Sequence, residues 1–385
     1  MNSAAHINSE IDNKSICCDD PQRIFGGELN ALGLPSPIRS DRSSLFAPRG
    51  LCRHPSDGSL WLSDTGHHRV LGWQHPESGQ TDADIVLGQD QGESRNRGSE
   101  ASANTLNVPC GICAHGAGIA VADSWNHRVL IWLTLPTEQQ APDIVLGQRD
   151  FNSALANRGE NHAEANTLYW PSGVLSDGER LYIADTGNRR VLIWDTKPSA
   201  NGQPADRILG QSNFQCRDEN GGATASAGSM RWPHALCFWQ HRLCVADAGN
   251  NRVLVYNSRL PESHAQSQWI LGQTDSVNSL HNGGAMGASA KSMSMPYGIS
   301  SYGHWLIVAD TANSRLLAWH DGHLESGAAA KALLGQIDFT HCGDNAWLEV
   351  NKHSLCWPYG IDVYQNQIAI ADTGNSRVIL RQLAL

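Results

Sequence analysis

The chain has 385 residues, of which 40% are hydrophobic, and a formal net charge of −10 at pH 7. Such a length is ample for a large hydrophobic core. The acidic excess disfavours nucleic acid as a partner, because phosphate binding needs Lys and Arg side chains that displace counterions. The sequence contains no run of 18 apolar residues, so we expect no membrane span.

The first 20 residues are polar and include the carboxylates of Glu10, Asp12, Asp19 and Asp20. They contain no apolar segment of the kind that a signal peptide requires, and we expect residues 1–20 to form a disordered tail. The ten cysteines do not mark a small disulfide-rich domain, and several fall at predicted strand positions, where free thiols act as small hydrophobes. These observations together predict a reducing, cytoplasmic location.

One motif recurs six times after this tail. Its clearest copy, residues 181–194, reads Leu-Tyr-Ile-Ala-Asp-Thr-Gly-Asn-Arg-Arg-Val-Leu-Ile-Trp, which is typical of strand, polar turn and strand. Each copy has an Asp followed five residues later by an Arg, and the copies are 59 to 63 residues apart. The pairs are Asp64 and Arg69, Asp123 and Arg128, Asp185 and Arg190, Asp247 and Arg252, Asp310 and Arg315, and Asp372 and Arg377.

Two further strands complete each repeat. Upstream of the hairpin lies a Pro-x-Gly motif followed by an aliphatic residue, although the fourth copy has Ala235 in place of Gly. Downstream lies a strand that ends in Leu-Gly-Gln in five copies. We label the four strands A to D in chain order. Four short antiparallel strands repeated radially predict an all-β fold, a six-bladed β-propeller.

The two chain ends predict how the propeller closes. The sequence stops after the sixth C strand, whereas residues 23–27 read Arg-Ile-Phe-Gly-Gly, a degenerate form of the D-strand motif. We infer that this N-terminal strand completes the last blade and leaves no open edge. The propeller is therefore expected to span residues 21–385 as one domain.

The Ala-Asp-x-Gly-Asn-x-Arg-Val hairpin, preceded by Pro-x-Gly, resembles the NHL repeat. The resemblance covers roughly residues 21–385, and the Leu-Gly-Gln strands with their long D–A loops resemble bacterial NHL-repeat proteins more loosely. It implies a six-bladed propeller that binds a partner, as in most members of the family. It also implies RNA binding in some animal members and enzyme activity in relatives such as the amidating lyases.

The strand directions place the B–C turns and the long D–A loops on the same face, where we expect function to lie. A residue type present in all six blades cannot mark one unique site. We therefore interpret the twelve Asp and Arg residues as structural, with the Asp accepting turn N–H groups and the Arg pairing with it or with the next blade. The alternative interpretation is a charged ring that binds ions.

Positions that differ between blades are better candidates for a site. The residue after the repeat proline is different in most blades, and the six should ring the channel mouth if the A strands are innermost. They form a mixed polar set suited to a small ligand or a peptide terminus, and Arg49 with two phenols favours an anionic or carboxylate-bearing ligand. Ordinary solvated lining is the alternative. The six residues are Arg49, Cys110, Ser172, His234, Tyr297 and Tyr359.

Catalysis and metal binding find weaker support in this ring. His234 is a possible general base and Arg49 an anion clamp, but we assign no catalytic residue. One His and one Cys without a carboxylate are fewer than the three or four ligands of a zinc site, so we predict no metal there. The ring reproduces neither the histidines of the amidating lyases nor the carboxylate and Asn ligands of the calcium-dependent six-bladed lactonases. Cys17 and Cys18 are either an incidental exposed pair or a metal or redox handle.

The sequence thus favours a monomeric, non-catalytic binding or scaffold module whose partner is a protein or a small ligand. The alternative is an enzyme, a lyase or hydrolase with or without a metal, whose site lies at the channel mouth. The sequence identifies no cofactor.

Overall fold

The computed structural model describes residues 14–18, 20–27, 40–89 and 100–385. They form six antiparallel sheets of four strands, one of which carries a fifth strand. The sheets surround a channel lined by the six A strands. The predicted all-β six-bladed propeller is confirmed.

The strands are numbered in chain order. Two precede the first blade, β1 (Lys14–Ser15) and β2 (Arg23–Gly26). Blades one to three contain β3 (Leu51–Arg53), β4 (Leu60–Asp64), β5 (Arg69–Trp73), β6 (Ile85–Leu87), β7 (Pro109–His115), β8 (Gly118–Asp123), β9 (Arg128–Trp132), β10 (Ile144–Leu146), β11 (Pro171–Ser176), β12 (Leu181–Asp185), β13 (Arg190–Trp194) and β14 (Arg207–Leu209). Blades four to six contain β15 (Pro233–Trp239), β16 (Arg242–Asp247), β17 (Arg252–Tyr256), β18 (Trp269–Leu271), β19 (Pro296–Tyr302), β20 (Trp305–Asp310), β21 (Arg315–His320), β22 (Ala332–Leu334), β23 (Pro358–Tyr364), β24 (Gln367–Asp372) and β25 (Arg377–Gln382).

Short 3₁₀ turns connect many of these strands. Every B–C connection is a single turn followed by a residue in the left-handed region, and four D–A loops and one further connection contain another turn. The B–C turns are Thr65–His67, Ser124–Asn126, Thr186–Asn188, Ala248–Asn250, Thr311–Asn313 and Thr373–Asn375. The others are Ala156–Gly159, Glu219–Gly222, His281–Gly284, Asp321–His323 and Asp344–Trp347.

Hydrophobic packing is divided among the seams between neighbouring blades. Six core clusters are present, and each joins side chains of two adjacent blades. Both faces of each blade are therefore buried, which explains the nearly continuous apolar runs of the B and C strands.

The D strands end earlier than the sequence motif suggests, at the Leu of Leu-Gly-Gln. The Gly that follows has a φ between +85° and +93° in all five copies, a conformation that turns the chain out of the sheet. The Gln side chain then donates to carbonyls of the B–C turn, as at Gln148 with Asn126 and His127, and in four copies also to a D–A loop carbonyl. The Gln side chain thus links the B–C turn to the D–A loop on one face of the propeller.

The N-terminal strand closes the last blade. β2 pairs antiparallel with β25, so that Phe25 lies opposite Val378. Phe25 is 3% exposed and its ring packs 5.0 Å from that of Trp73 in the first blade. The chain ends thus meet within one sheet, as predicted.

Part of the predicted disordered tail is ordered, so that prediction is wrong for residues 14–18. β1 pairs parallel with β22 on the outer edge of blade five, and the chain then bridges to blade six through Cys17 and Leu383. Ile16 and Cys17 are 0% and 2% exposed, because both fill a hydrophobic cluster between these blades. Cys17 is therefore not an exposed thiol, whereas Cys18 is exposed. The rest of the predicted tail, apart from Asp20, lies outside the described residues.

The repeated Asp and Arg form a buried frame in every blade. Asp185 is typical: its Oδ1 accepts the backbone N–H of Tyr169, and its Oδ2 accepts Asn188 Nδ2 and Arg190 Nε at 2.8 Å each. Arg190 also donates to three loop carbonyls. The N–H thus comes from the segment before the A strand, rather than from the turn that we expected. In the first blade His67 takes the place of Asn and makes the same bond.

A hydrogen bond and a close glycine contact also hold adjacent blades together. The hydroxyl after the repeat Asp donates to the carbonyl of the next blade's repeat proline, as Thr65 does to Pro109 at 2.7 Å. The Gly of Pro-x-Gly packs against the next blade, where an added Cβ would lie 1.9–2.4 Å from a carbonyl oxygen in five copies. Blade four lacks both features, since Ala235 replaces this Gly and Ala248 replaces the hydroxyl-bearing residue. Other hydrogen bonds cross the seam between blades four and five, from Trp239 to the His304 carbonyl and from Ser301 to the Phe238 carbonyl.

Deletion of residues 1–20 should lower the melting temperature, because it removes β1 and the buried Ile16, whose burial contributes roughly 1.5–3 kcal/mol. Deletion of residues 1–30 should lower it much further, because it also removes β2 and exposes the edge of β25. Ile16→Ala in the full chain should have the smallest effect. A 1–20 deletion that melts like the full chain would show that residues 14–18 do not pack there. Equal melting of the two deletions would refute closure by β2.

Gly50→Ala should reduce the free energy of unfolding by about 1–3 kcal/mol through overpacking of the seam. Its Cβ would lie 2.0 Å from the carbonyl oxygen of Cys110. Gly287→Ala is the matched control, because no heavy atom lies within 4 Å of its added Cβ. Urea denaturation of both variants measures the difference, and equal stabilities would show that the glycine is not required by close approach of the blades.

Candidate functional site: the central channel

The six A strands enclose a cavity of about 400 Å³ that follows their length. All six residues that follow the repeat prolines line this cavity, as the register predicts. The cavity also continues past them towards the opposite face, where Pro55, Phe238 and Tyr364 contribute to its wall. The structure therefore defines a deep channel rather than a shallow site at the mouth alone.

Large side chains from four consecutive blades meet at the axis. The ring centroids of His234 and Tyr297 are 4.2 Å apart, and those of Tyr297 and Tyr359 are 4.4 Å apart. The Arg49 guanidinium lies 4.6 Å from the centroid of the Tyr359 ring, in the geometry of a cation–π contact. Blades two and three contribute only the small side chains of Cys110 and Ser172. We call the four residues Arg49, His234, Tyr297 and Tyr359 the aromatic–Arg cluster.

The backbone that presents this cluster is fixed from the neighbouring blade. The residue before the repeat proline has a left-handed φ in five blades, which is costly for a residue such as Val108. A side chain at the end of the preceding B–C turn accepts its N–H, as His68 does from Val108 at 3.0 Å. At the end of the blade-three B–C turn this residue is Arg189, whose side chain has no acceptor atom. Trp232, which precedes the repeat proline of blade four, is outside the left-handed region. The backbone N–H of Trp232 instead donates to Asp247 Oδ1 at 3.3 Å.

Arg49 carries the only fixed charge of the cluster, and its partners are weak. Its Nη1 donates to the Cys110 sulfur at 3.6 Å, while its buried Nε has no hydrogen-bond partner. Among the described residues, no carboxylate forms an ion pair with it. The side chain is half-buried, and a charge in such a place is stabilised when an anion compensates it.

The other members of the cluster are neutral at physiological pH. Burial raises the pKa of Tyr359 and of Tyr297, so both phenols remain hydrogen-bond donors. Burial, assisted by the charge of Arg49, lowers the pKa of His234 to about 3. An imidazole of such low basicity is poorly suited to act as the general base that the sequence suggested.

Two charged residues of the cavity, Asp362 and Arg53, were missed by reasoning from the sequence alone. Asp362 lies three residues beyond Tyr359 and lines the same channel. Burial raises the pKa of its carboxyl group to about 6, although the backbone N–H of Arg53 donates to it at 2.7 Å. A comparison of equivalent positions could have identified Asp362. The fourth residue after the repeat proline is Cys, Cys, Leu, Cys, Ser and Asp in blades one to six, so only blade six has a charged residue there. The cavity therefore does contain a carboxylate, although the ring after the prolines does not.

The same face carries several exposed tryptophans. Trp125 lies in the second B–C turn, and Trp170 and Trp357 precede repeat prolines of opposite blades. Their exposed fractions are 46%, 45% and 54%. Indole rings displayed in this way provide apolar contact area beside the channel mouth.

Two features are absent from the described residues, a cluster of metal ligands and a membrane-spanning helix. No group of three or more His, Cys, Asp or Glu side chains in that part of the chain is placed to hold a metal ion. Nor does that part contain a helix long and apolar enough to cross a bilayer.

The architecture and its axial channel define the chain as a six-bladed β-propeller. The family model for the NHL repeat matches residues 230–256, in blade four. The protein is thus a six-bladed propeller with an NHL repeat in blade four, and the resemblance to that repeat is confirmed there.

Solved structures with a similar fold include proteins of different kinds. A gluconolactonase from Xanthomonas campestris is 13% identical, with 96% of this chain and 97% of that chain covered and a TM-score of 0.48. A nidogen/laminin complex contains a chain that is 17% identical, with 74% and 83% covered and a TM-score of 0.40. No curated protein matches the chain significantly. Similarity at this level carries no information about the ligand.

The low pKa of His234 predicts a specific pH dependence of stability. Between the folded pKa of about 3 and the unfolded value of about 6.5, only the unfolded state binds the proton, so stability is lost as pH falls. From pH 7 to pH 5.5 this residue should account for about 1 kcal/mol of that loss. The stability of the wild type relative to His234→Gln should therefore decrease by this amount in urea denaturation at the two pH values. A constant or increasing difference would show that the folded imidazole becomes protonated.

Proposed function

We propose that this protein is a binding module that holds a small anionic, carboxylate-bearing ligand at the aromatic–Arg cluster. The observation that carries the proposal is Arg49, whose guanidinium faces the channel, stacks on Tyr359 and has no ion-pair partner among the described residues. A ligand anion would supply the missing compensation, and Arg is the side chain best suited to a planar carboxylate.

The surroundings of Arg49 support a ligand of limited size. The neutral phenol of Tyr359 stands beside the guanidinium as a hydrogen-bond donor, whereas the Tyr297 hydroxyl donates to Met295 Sδ at 3.7 Å. A cavity of about 400 Å³ falls within the range of small-molecule sites. This favours a small ligand, or the carboxyl terminus of a protein partner that enters the channel, over recognition across a broad surface. We further propose that the propeller works as a monomer in the cytoplasm, a location supported by its ten free cysteines.

A second candidate function is an enzyme that uses Asp362. A carboxyl group with a pKa of about 6 is suited to general acid–base chemistry near neutral pH. It lines the same cavity as Arg49, which would hold an anionic substrate. This alternative predicts turnover that Asp362→Asn abolishes, whereas the binding module predicts binding without turnover.

Arg49→Ala should weaken the binding of glutarate and of inorganic phosphate at least tenfold in isothermal titration calorimetry, because hydrogen bonds to a charged group contribute about 1.5–3 kcal/mol. Its melting temperature should stay within a few degrees of the wild type. Tyr359→Phe should weaken binding less, through loss of one hydroxyl donor. Lys291→Ala is the control, because it removes an exposed charge outside the cavity lining. Anion binding that is unchanged in Arg49→Ala, or equally weakened in Lys291→Ala, would contradict the site.

A further inference from the structure

The cavity presents charges of opposite sign at two levels. Arg49 follows the repeat proline of blade one, and Asp362 is the fourth residue after the repeat proline of the adjacent blade six. At roughly 3.3 Å per residue along a strand, the two levels are about 10 Å apart. Both residues line the same cavity, so one small molecule can contact both.

Asp362 is not paired with the neighbouring guanidinium. The Arg53 Nη1 atom donates to Glu77 Oε1 at 3.0 Å and to Gln367 Oε1 at 2.9 Å. The guanidinium also lies 4.9 Å from the centroid of the Tyr364 ring. Only its backbone N–H reaches Asp362, at Oδ2. Within the described residues Asp362 forms no ion pair, and it lines the channel.

The wall at the level of Asp362 is largely apolar. At the level of Asp362 the other blades contribute mainly thiols and one aliphatic side chain, and all of them line the cavity. Thiols of this kind behave as small hydrophobes. The residues are Cys52, Cys113, Leu175, Cys237 and Ser300.

We propose that the ligand is a small zwitterion of the ω-amino acid type, with its carboxylate on Arg49 and its ammonium group on Asp362. This inference rests on the proposed function, since it assigns the anionic end of the ligand to the same guanidinium. An aliphatic spacer of several bonds suits the apolar wall. An α-amino acid, whose two charges are separated by a single carbon, cannot contact both residues.

A matched series of four compounds tests the assignment by calorimetry on the full chain. The probes are 5-aminopentanoate, pentanoate, pentylamine and glutarate. The wild type should bind 5-aminopentanoate about tenfold more tightly than pentanoate, because the ammonium group adds one charge-assisted hydrogen bond. Pentylamine should bind weakest, since it offers nothing to Arg49, and glutarate should gain nothing over pentanoate.

Two variants separate the contributions of the two ends. Asp362→Asn keeps an acceptor for the Arg53 N–H, and it should remove the advantage of 5-aminopentanoate while leaving pentanoate affinity unchanged. Arg49→Ala should weaken both compounds, and Lys291→Ala should weaken neither.

The outcomes distinguish the two proposals. Arg49-dependent binding of pentanoate without any preference for 5-aminopentanoate in the wild type would overturn the zwitterion and leave the anion site in place. A preference that survives in Asp362→Asn would also overturn it. Absence of any Arg49-dependent binding would overturn the anion site itself. The wild-type series remains decisive even where a variant does not fold.

Discussion

The buried pair of Asp and Arg, repeated six times, is the interaction on which the propeller depends. Each Asp collects the N–H before the A strand, the amide or imidazole of the turn and the Arg Nε, and each Arg fixes carbonyls of the D–A loop. Loss of one partner of such a pair leaves an uncompensated buried charge, at a cost of about 3–5 kcal/mol. Because the frame fixes where every A strand begins, it also fixes where the side chains of the channel converge.

The frame leaves the residue after each repeat proline free to vary, and the proposed site lies at these positions. Blade four departs from the common pattern outside the fixed residues of the hairpin motif: it contains Ala235 and Ala248, and Arg189 before it has no acceptor. The same blade contributes His234 to the aromatic–Arg cluster.

The sequence predicted the six blades, closure by residues 23–26 and the convergence of Arg49, His234, Tyr297 and Tyr359, because each follows from a repeat with a fixed register. It did not predict β1, because the two residues Lys14–Ser15 carry no strand pattern of their own and pair only with an edge formed some 320 residues later. It missed Asp362 because thiols at equivalent positions suggested a purely apolar layer. The low basicity of His234 depends on burial and on a charge from another blade, which no local pattern records.

We propose that Arg49 binds an anion that none of the described residues supplies. Crystals soaked in sodium bromide test it directly through the anomalous scattering of the halide. The account predicts a bromide peak within hydrogen-bonding reach of the Arg49 guanidinium and the Tyr359 hydroxyl. A structure in which a carboxylate of the chain pairs with Arg49, or in which bromide occupies other sites while the cluster stays empty, would contradict it.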